Sequence, residues 1–311
     1  MKKIDFKLML VGIIGVVASF LGFSFLSVPV FAIFSIIAVF SLFLVNLVAP
    51  YVVRLIFWVA VCLSAYLSGG ASFSVFAALL FVLPALVAAE TIRNTKDYAI
   101  TLCAGTGAEV LSIILIDKLF LIPAGGGFKI YYSAYIDSLA NGFKQFSDMM
   151  IQVYDEAEVS LMVNMLDQYF YVLKLLFPAL IIIFSLGIIF FMLLISKKFI
   201  INIPVPGFSE ICAPKAVAYA YLFCYISIYL ITGETLGYVV SNVSLILSVI
   251  LTVSGLSLLR FYTKRIPSKL LSGIIFLFLI PPALVFSQVL LIAGALDSVI
   301  NFRKIIRVAK K

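Results

Sequence analysis

Apolar residues run in long unbroken blocks, and the charges gather in short clusters between them. From Leu8 to Val53 no charged side chain occurs, and Arg54 is the next one. About 20 apolar residues in a helix cross the hydrocarbon of a bilayer, so this block holds two crossings. The break falls at Val28-Pro29, giving helices near 8–27 and 30–49. A second uncharged block, Leu55 to Ala89, breaks at Gly69-Gly70 into a third and a fourth helix. A charged turn follows, Glu90 to Asp97 with Arg93 and Lys96, and a fifth helix runs from Tyr98 to Ile116. No small-x-small cleavage site with polar sequence behind it interrupts the first block, so its start is expected to be a retained helix.

Residues 117–168 differ in character, being polar and acidic on balance. Within them Tyr132, Ile136, Leu139, Phe143, Phe146, Met150 and Val153 recur every three or four residues. That spacing draws an apolar stripe down one side of a helix. Gly125-Gly126-Gly127 leads into it. No Lys-Ser/Thr follows the glycines, as a phosphate-cradling loop would need.

Apolar segments resume near 170–196, 216–231, 236–259 and 270–293. The expected fold is therefore all-α, a polytopic transmembrane bundle of eight or nine membrane segments with one amphipathic helical insert. Residues 1–311 are read as a single integral membrane domain. Counting from a cytoplasmic N-terminus, marked by Lys2, Lys3 and Lys7, places Arg93 and Lys96 inside. Lys197-Lys198 with Lys215, and Arg260 with Lys264, Arg265 and Lys269, fall inside as well. The acidic insert 117–168 falls outside, so these loops obey the positive-inside rule. Nine crossings would leave the basic tail outside. A re-entrant hairpin at Pro281-Pro282 would return it to the cytoplasm, and this is the preferred expectation. Residues 294–311 are expected to be a basic interfacial tail, with Val299, Phe302, Ile306 and Ala309 on an apolar side.

Composition turns this pattern into an exclusion. Apolar residues make up 64% of the 311 and charged residues 12%. A soluble fold of that makeup would carry its surplus Leu, Ile, Val and Phe on the surface and precipitate. The net charge of +8 sits in the loops between apolar blocks, where it faces anionic lipid headgroups rather than nucleic acid. Histidine is absent, which removes Ser-His-Asp chemistry, imidazole proton relays and most zinc sites. Cys62, Cys103, Cys212 and Cys224 form no CxxC pair. No metal site and no cofactor are expected.

Glu109 is the candidate for chemistry, because a carboxylate within a membrane helix is costly unless paired or hydrated. Gly105 and Gly107 lie in the small-residue run Cys103 to Ala108 just before it, where a ligand or another helix can approach the backbone. Glu109 is then a ligand or ion contact in a central cavity, a hydrogen-bonding partner in helix packing, or a carboxyl snorkelling to the outer surface. Tyr221, Tyr225 and Tyr229 share one helix face. They line an aromatic pocket, with Tyr225 as the candidate substrate contact, or serve interface anchoring and ordinary packing. Gly15 with Ser19, and Ala18 with Gly22, put small residues at helical spacing on the first helix and suit close docking of another helix, from this chain or another.

The C-terminal half carries a series of short motifs: Leu176-Phe177-Pro178-Ala179-Leu180, Pro206-Gly207-Phe208-Ser209-Glu210 with Pro214, Ser254-Gly255-Leu256-Ser257, and Gly294-Ala295-Leu296-Asp297 leading to Phe302-Arg303-Lys304. In this order they resemble the YybS-like family of bacterial membrane proteins, a family of unknown function. That resemblance implies a more distant likeness in fold to the substrate-binding subunits of energy-coupling-factor transporters. Such subunits capture a small molecule on the extracytoplasmic side and dock on an energising module through small residues of their first helix. Ala18 and Gly22 stand where that docking pair is expected.

The expected function is accordingly that of a small-molecule-binding transport component in the bacterial plasma membrane. No Walker motif is present, so an energising membrane partner would supply the ATPase. The alternative is a non-enzymatic scaffold for envelope or cell-shape machinery. An intramembrane enzyme ranks last, without histidine or paired intramembrane carboxylates.

Overall fold

The computed structural model describes residues 6–25, 28–150, 155–199, 203–231 and 233–308. Among them there is no strand. Six helical stretches are long and apolar enough to cross a membrane: Lys7–Ser24, Tyr51–Gly69, Ala71–Thr95, Tyr98–Leu121, Phe177–Phe199 and Glu234–Thr263. Ile33–Val48 and Lys215–Leu230 are apolar but shorter. The chain divides into two compact units, Met1–Gly142 with Phe184–Val205, and Phe143–Ile183 with Pro206–Lys311.

The first unit opens with α1 (Phe6–Ser24), α2 (Val28–Val48) and α3 (Tyr51–Gly69). Pro50 precedes α3 and sets its start four residues earlier than the charge pattern suggests. Next come α4 (Ala71–Ala77) and α5 (Leu83–Thr95), joined through a π-helical turn, Ala78–Val82. Pro84 explains the turn. It has no N–H for the carbonyl one turn back, and the backbone widens so that the Leu83 N–H reaches the Ala78 carbonyl instead. At Gly70 the backbone takes a positive φ of 81°, which glycine adopts without strain, and α3 stops there. Helix α6 (Tyr98–Ile116) is capped by Asp97, whose carboxylate accepts from the N–H groups of Ala99 and Ile100. Phe43, Phe81, Leu42 and Ile189 fill the core of this unit.

A second π turn, Asp117–Leu121, ends the α6 span. The glycines then fold back on it. The Gly126 N–H donates to the Leu121 carbonyl at 2.9 Å, and the Phe128 N–H donates to Asp117 Oδ1 at 2.6 Å. Asp117 thus seats the first turn of α7 (Phe128–Met150), the amphipathic helix that the stripe predicts. Val153, the last residue of the stripe, lies outside the described residues.

In the second unit the C-terminal part of α7 is joined to α8 (Glu156–Leu175) by a Lys144–Asp167 ion pair at 3.1 Å and by the Phe143 and Phe170 rings, 5.8 Å apart. The segment expected as one helix over 170–196 is two. Helix α8 ends at Leu175 and α9 (Phe177–Phe199) begins two residues on, because Pro178 has no N–H and disfavours helix just before it. The break parts the Ala179 N–H from the Leu175 carbonyl, its partner in a continuous helix. The Asn242 amide fills the gap, accepting from Ala179 at 2.9 Å and donating to Leu175 at 3.1 Å.

Asn242 belongs to α11 (Glu234–Thr263), which follows α10 (Lys215–Leu230). The apolar block near 270–293 is also two helices, α12 (Lys269–Val285) and α13 (Ser287–Ile300). Lys269–Ala283 and Ser287–Ile300 are bent 113° apart, downstream of Pro281 and Pro282. A short α14 (Phe302–Val308) follows a left-handed Asn301. Residues 294–300 thus belong to α13, and Ala309 lies outside the described residues.

Helices α11 and α13 cross at two glycines. A Cβ at Gly255 would collide with the Leu290 carbonyl, and one at Gly294 with the Leu251 carbonyl. Gly107 has open space where its Cβ would stand. Gly255→Ala and Gly294→Ala should each lower the melting temperature of the detergent-solubilised protein, with a loss of about 1–3 kcal/mol from overpacking. Gly107→Ala should leave it unchanged or raise it slightly, since alanine is the better helix former. Equal melting points for all three variants would contradict the close crossing.

Candidate functional site

Glu109 lies on the face of α6 that Thr101, Gly105, Ala108, Ser112 and Ile116 bury inside the first unit. It is 4% exposed, and its Oε2 has no hydrogen-bond partner among the described residues. The Thr106 and Ser185 hydroxyls of the same unit are also buried and unpartnered. Gly105 shares the Glu109 face and lets α9 and α5 close in, for its Cβ would stand 2.9 Å from Ile189 and 3.3 Å from Ala88. Gly107 points the other way and is exposed, so the structure brings Glu109 and Gly105 together but not Gly107. Tyr225 belongs to α10 in the second unit. It is exposed in a ladder with Tyr221 and Tyr229, at ring separations of 6.1 Å and 5.6 Å.

The small-residue face of α1 is spent within the first unit. Gly15, Ala18, Ser19 and Gly22 are all buried. A Cβ on Gly15 would meet the Ser41 side chain at 2.8 Å, and one on Gly22 the Phe34 side chain at 3.3 Å, both on α2. Toward α3, the Ser19 hydroxyl donates to the Val61 carbonyl at 3.4 Å. These four residues hold α1 against α2 and α3 of its own chain, the internal alternative of the two their spacing allows.

Each unit also holds a charged cluster. In the first unit Glu90 Oε1 accepts from Arg54 at 3.0 Å and from Arg93 at 2.6 Å. The same guanidinium groups reach the end of α2. Arg93 donates to the carbonyls of Asn46 and Leu47, and Arg54 to that of Ala49. Carbonyls at a helix C-terminus lack intrahelical donors and carry partial negative charge, so cations settle there. The Trp58 indole N–H adds a bond to Asn46 Oδ1 at 2.8 Å.

The second cluster is deeper. Asp297 is fully buried and Arg303 4% exposed, with Arg303 Nε 2.9 Å from Asp297 Oδ2. The left-handed Asn301 between them turns the chain, so that a residue of α14 reaches back to α13. The remaining Arg303 donors go to the Ser209 carbonyl at 3.0 Å, the Ser257 hydroxyl at 3.1 Å and the Ser254 carbonyl at 3.2 Å. Ser257 donates in turn to the Phe208 carbonyl, and the Ser254 hydroxyl accepts from the Ala213 N–H at 3.1 Å. Burial, with the Asp297 carboxylate beside it, pushes the Cys212 thiol above its ordinary range and keeps it neutral. The segment 206–214, the last turns of α11, the end of α13 and the tail therefore meet at one charged node. Every short motif from Pro206 onward that carries the family resemblance contributes to it.

A groove of about 550 Å³ opens along α3 and the α4 π turn, lined by Trp58, Cys62, Tyr66, Ser74, Ala78 and Val82 among others. Of the residues named from sequence only Cys62 lines it, and none of the candidate site residues does. Among the described residues no group of His, Cys, Asp or Glu is arranged to hold a metal.

These helices and their polar clusters define a multi-pass helical membrane protein. A family model described as "Predicted membrane protein (DUF2232)" matches residues 16–298, and the chain belongs to that family. No curated protein and no solved structure matches the chain. Its function is unknown at the level of the family, and as a membrane protein it contacts the lipid bilayer.

The node makes a quantitative prediction. Arg303→Ala or Asp297→Ala leaves one buried charge without its counterpart, a loss of about 3–5 kcal/mol. The double variant D297L/R303M removes both charges and should lose far less than the sum of the two single losses. Thermal unfolding of the four proteins in detergent measures this coupling. Additive losses would show that the two groups act separately.

Proposed function

We propose that the chain is the small-molecule-binding component of a transport system in the bacterial plasma membrane, with Glu109 as the contact for a cationic group or ion. The observation that carries this reading is the Glu109 carboxyl itself, buried in a membrane-crossing helix with Oε2 unpartnered. A buried polar atom without a partner costs about 1–3 kcal/mol. Asp297 also leaves one oxygen unpartnered, but Arg303 neutralises it, whereas Glu109 has no ion-pair partner among the described residues. An ion or a ligand cation would complete the site. The resemblance of these motifs to the YybS-like family, and the distant likeness in fold to energy-coupling-factor binding subunits that it implies, adds a fold-level analogy. Docking through Gly15, Ala18, Ser19 and Gly22 is not part of this reading, since that face already packs α2 and α3.

The proposal includes a topology. With α2 and α10 counted as crossings, the chain passes eight times from a cytoplasmic N-terminus, and α12–α13 is a re-entrant pair. Residues 117–168 are then extracytoplasmic, and the basic loops are inside. Arg303 supports the cytoplasmic tail, because its contacts with Ser209 and Ser257 hold it beside the segment after α9 and near the end of α11.

In a thermal-shift series over inorganic cations and cationic vitamins, at least one ligand should stabilise the protein. At a hundredfold excess over its Kd the gain is about 2.7 kcal/mol. Glu109→Gln should lose that gain while folding normally. A flat response of the native protein across the series, or an equal shift in Glu109→Gln, overturns the binding reading. Co-purification of a stable partner without an ATPase would favour the scaffold instead. The topology has its own check. Cysteines placed at Ser138 and Lys198 on a cysteine-free background should react with a membrane-impermeant maleimide from opposite sides of the cell membrane. Labelling of both from one side sinks the assignment.

A further inference from the structure

We infer that α7 is an interfacial helix, which lays its aromatic face into the leaflet at the side where the α6 span leaves the membrane. Helix α7 has two sharply different sides. Tyr135, Leu139, Phe143, Phe146 and Met149 fall on one arc of the helix and are all exposed. Ser133, Asp137, Asn141 and Lys144 occupy the opposite arc, together with exposed Ile130 near its start. Ile136 and Ser147, which are buried, lie at the edge between the two arcs. A continuous apolar arc of this length would not persist against water, and five exposed large side chains in register call for a covering medium.

The covering medium is lipid, because the helix is fixed at the membrane edge. Asp117, in the last turn of the α6 span, accepts the Phe128 N–H, and Gly126 donates back to Leu121. The first turn of α7 therefore cannot move away from the end of the span. The span itself carries exposed apolar residues up to this point, Leu111, Ile114, Leu119 and Ile122. Gly125 and Gly127, with φ of 81° and 154°, supply the sharp redirection between span and surface helix. The aromatic content fits the headgroup boundary, where tyrosine keeps its ring in the apolar layer and its hydroxyl in water.

The charges of α7 specify the kind of membrane. Lys129 and Lys144 balance Asp137 and Asp148, so the helix carries no net charge. Attraction to anionic headgroups contributes little, and the embedding depends on apolar burial. Helix α7 should therefore sit equally deep in zwitterionic and anionic bilayers.

The test uses the full chain, on a cysteine-free background, in vesicles of phosphatidylcholine with or without phosphatidylglycerol. A bimane label is attached at Leu139→Cys or Phe146→Cys on the apolar arc, or at Asn141→Cys on the polar arc. Doxyl-labelled lipid should quench the first two at least threefold more than the third, and aqueous iodide should show the reverse order. Phosphatidylglycerol should leave both orders unchanged. Strong iodide quenching at all three positions would place the helix in water, and weak quenching of the apolar arc by both agents would mean that protein covers it. Either result overturns the inference. Asp117→Ala should reduce the contrast between the arcs, and an unchanged contrast would show that the Asp117 bond does not seat the helix. None of these outcomes depends on ligand binding at Glu109.

Discussion

Hydrocarbon offers no hydrogen bonds, and a backbone amide or carbonyl left without a partner there costs several kcal/mol. The structure depends on this constraint wherever a helix is interrupted. Pro178 parts the Ala179 N–H from the Leu175 carbonyl, and the Asn242 amide bridges the two. Upstream of Pro84 the repair is internal, a π turn that moves the bonds one residue along. At the end of α2 the loose carbonyls are taken by Arg93 and Arg54. Asp117 performs the same service at the start of α7. Each break is placed by a proline or a helix end, and a polar group or a local change of backbone pitch makes it tolerable.

The same economy governs the charges. Glu90 is shared by two arginines, each of which also caps a helix, so a single carboxylate stabilises three elements of the first unit. In the second unit Arg303 spends its guanidinium on Asp297, two backbone carbonyls and one hydroxyl. A buried pair of this kind adds little net stability over an apolar pair of the same shape. What it supplies is position, drawing the tail, the 206–214 segment, α11 and α13 to one place. Glu109 is the contrast. It is buried as deeply as Arg303, yet no described group completes its hydrogen bonding. Asp297 Oδ1 is unpartnered as well, so what sets Glu109 apart is that no cation pairs with it among the described residues.

The pattern of apolar blocks was enough to give an all-helical membrane protein and the amphipathic helix α7, because burial in lipid demands a continuous apolar run and little else. The eight or nine segments expected compare with six helices long and apolar enough to cross among the described residues. Gly69-Gly70 was legible as an end for the same reason, but α5 runs on through Glu90 and Arg93 to Thr95, so the charged turn expected over Glu90–Asp97 is only Lys96 and Asp97. The split at Leu176 was not legible, although Pro178 was in view, because a proline in the first turn of a helix is equally compatible with a helix that simply starts there. The Asp297–Arg303 pair was missed as a site. Asp297 follows Gly294 and Arg303 stands in a basic tail, and nothing in their spacing of six says that a left-handed residue between them folds one onto the other.

The sequence by itself determined that the chain lives in a membrane, which of its residues are oily enough to cross, and that Glu109 is the isolated acid among them. These follow from transfer free energies, which are properties of each residue and its near neighbours. Only the tertiary structure decided that Gly15, Ala18, Ser19 and Gly22 serve α2 and α3, that Gly105 rather than Gly107 shares the Glu109 face, and that Arg303 returns to Asp297. Those outcomes depend on which helix lies against which, and pairing between distant segments leaves no periodic trace in either one.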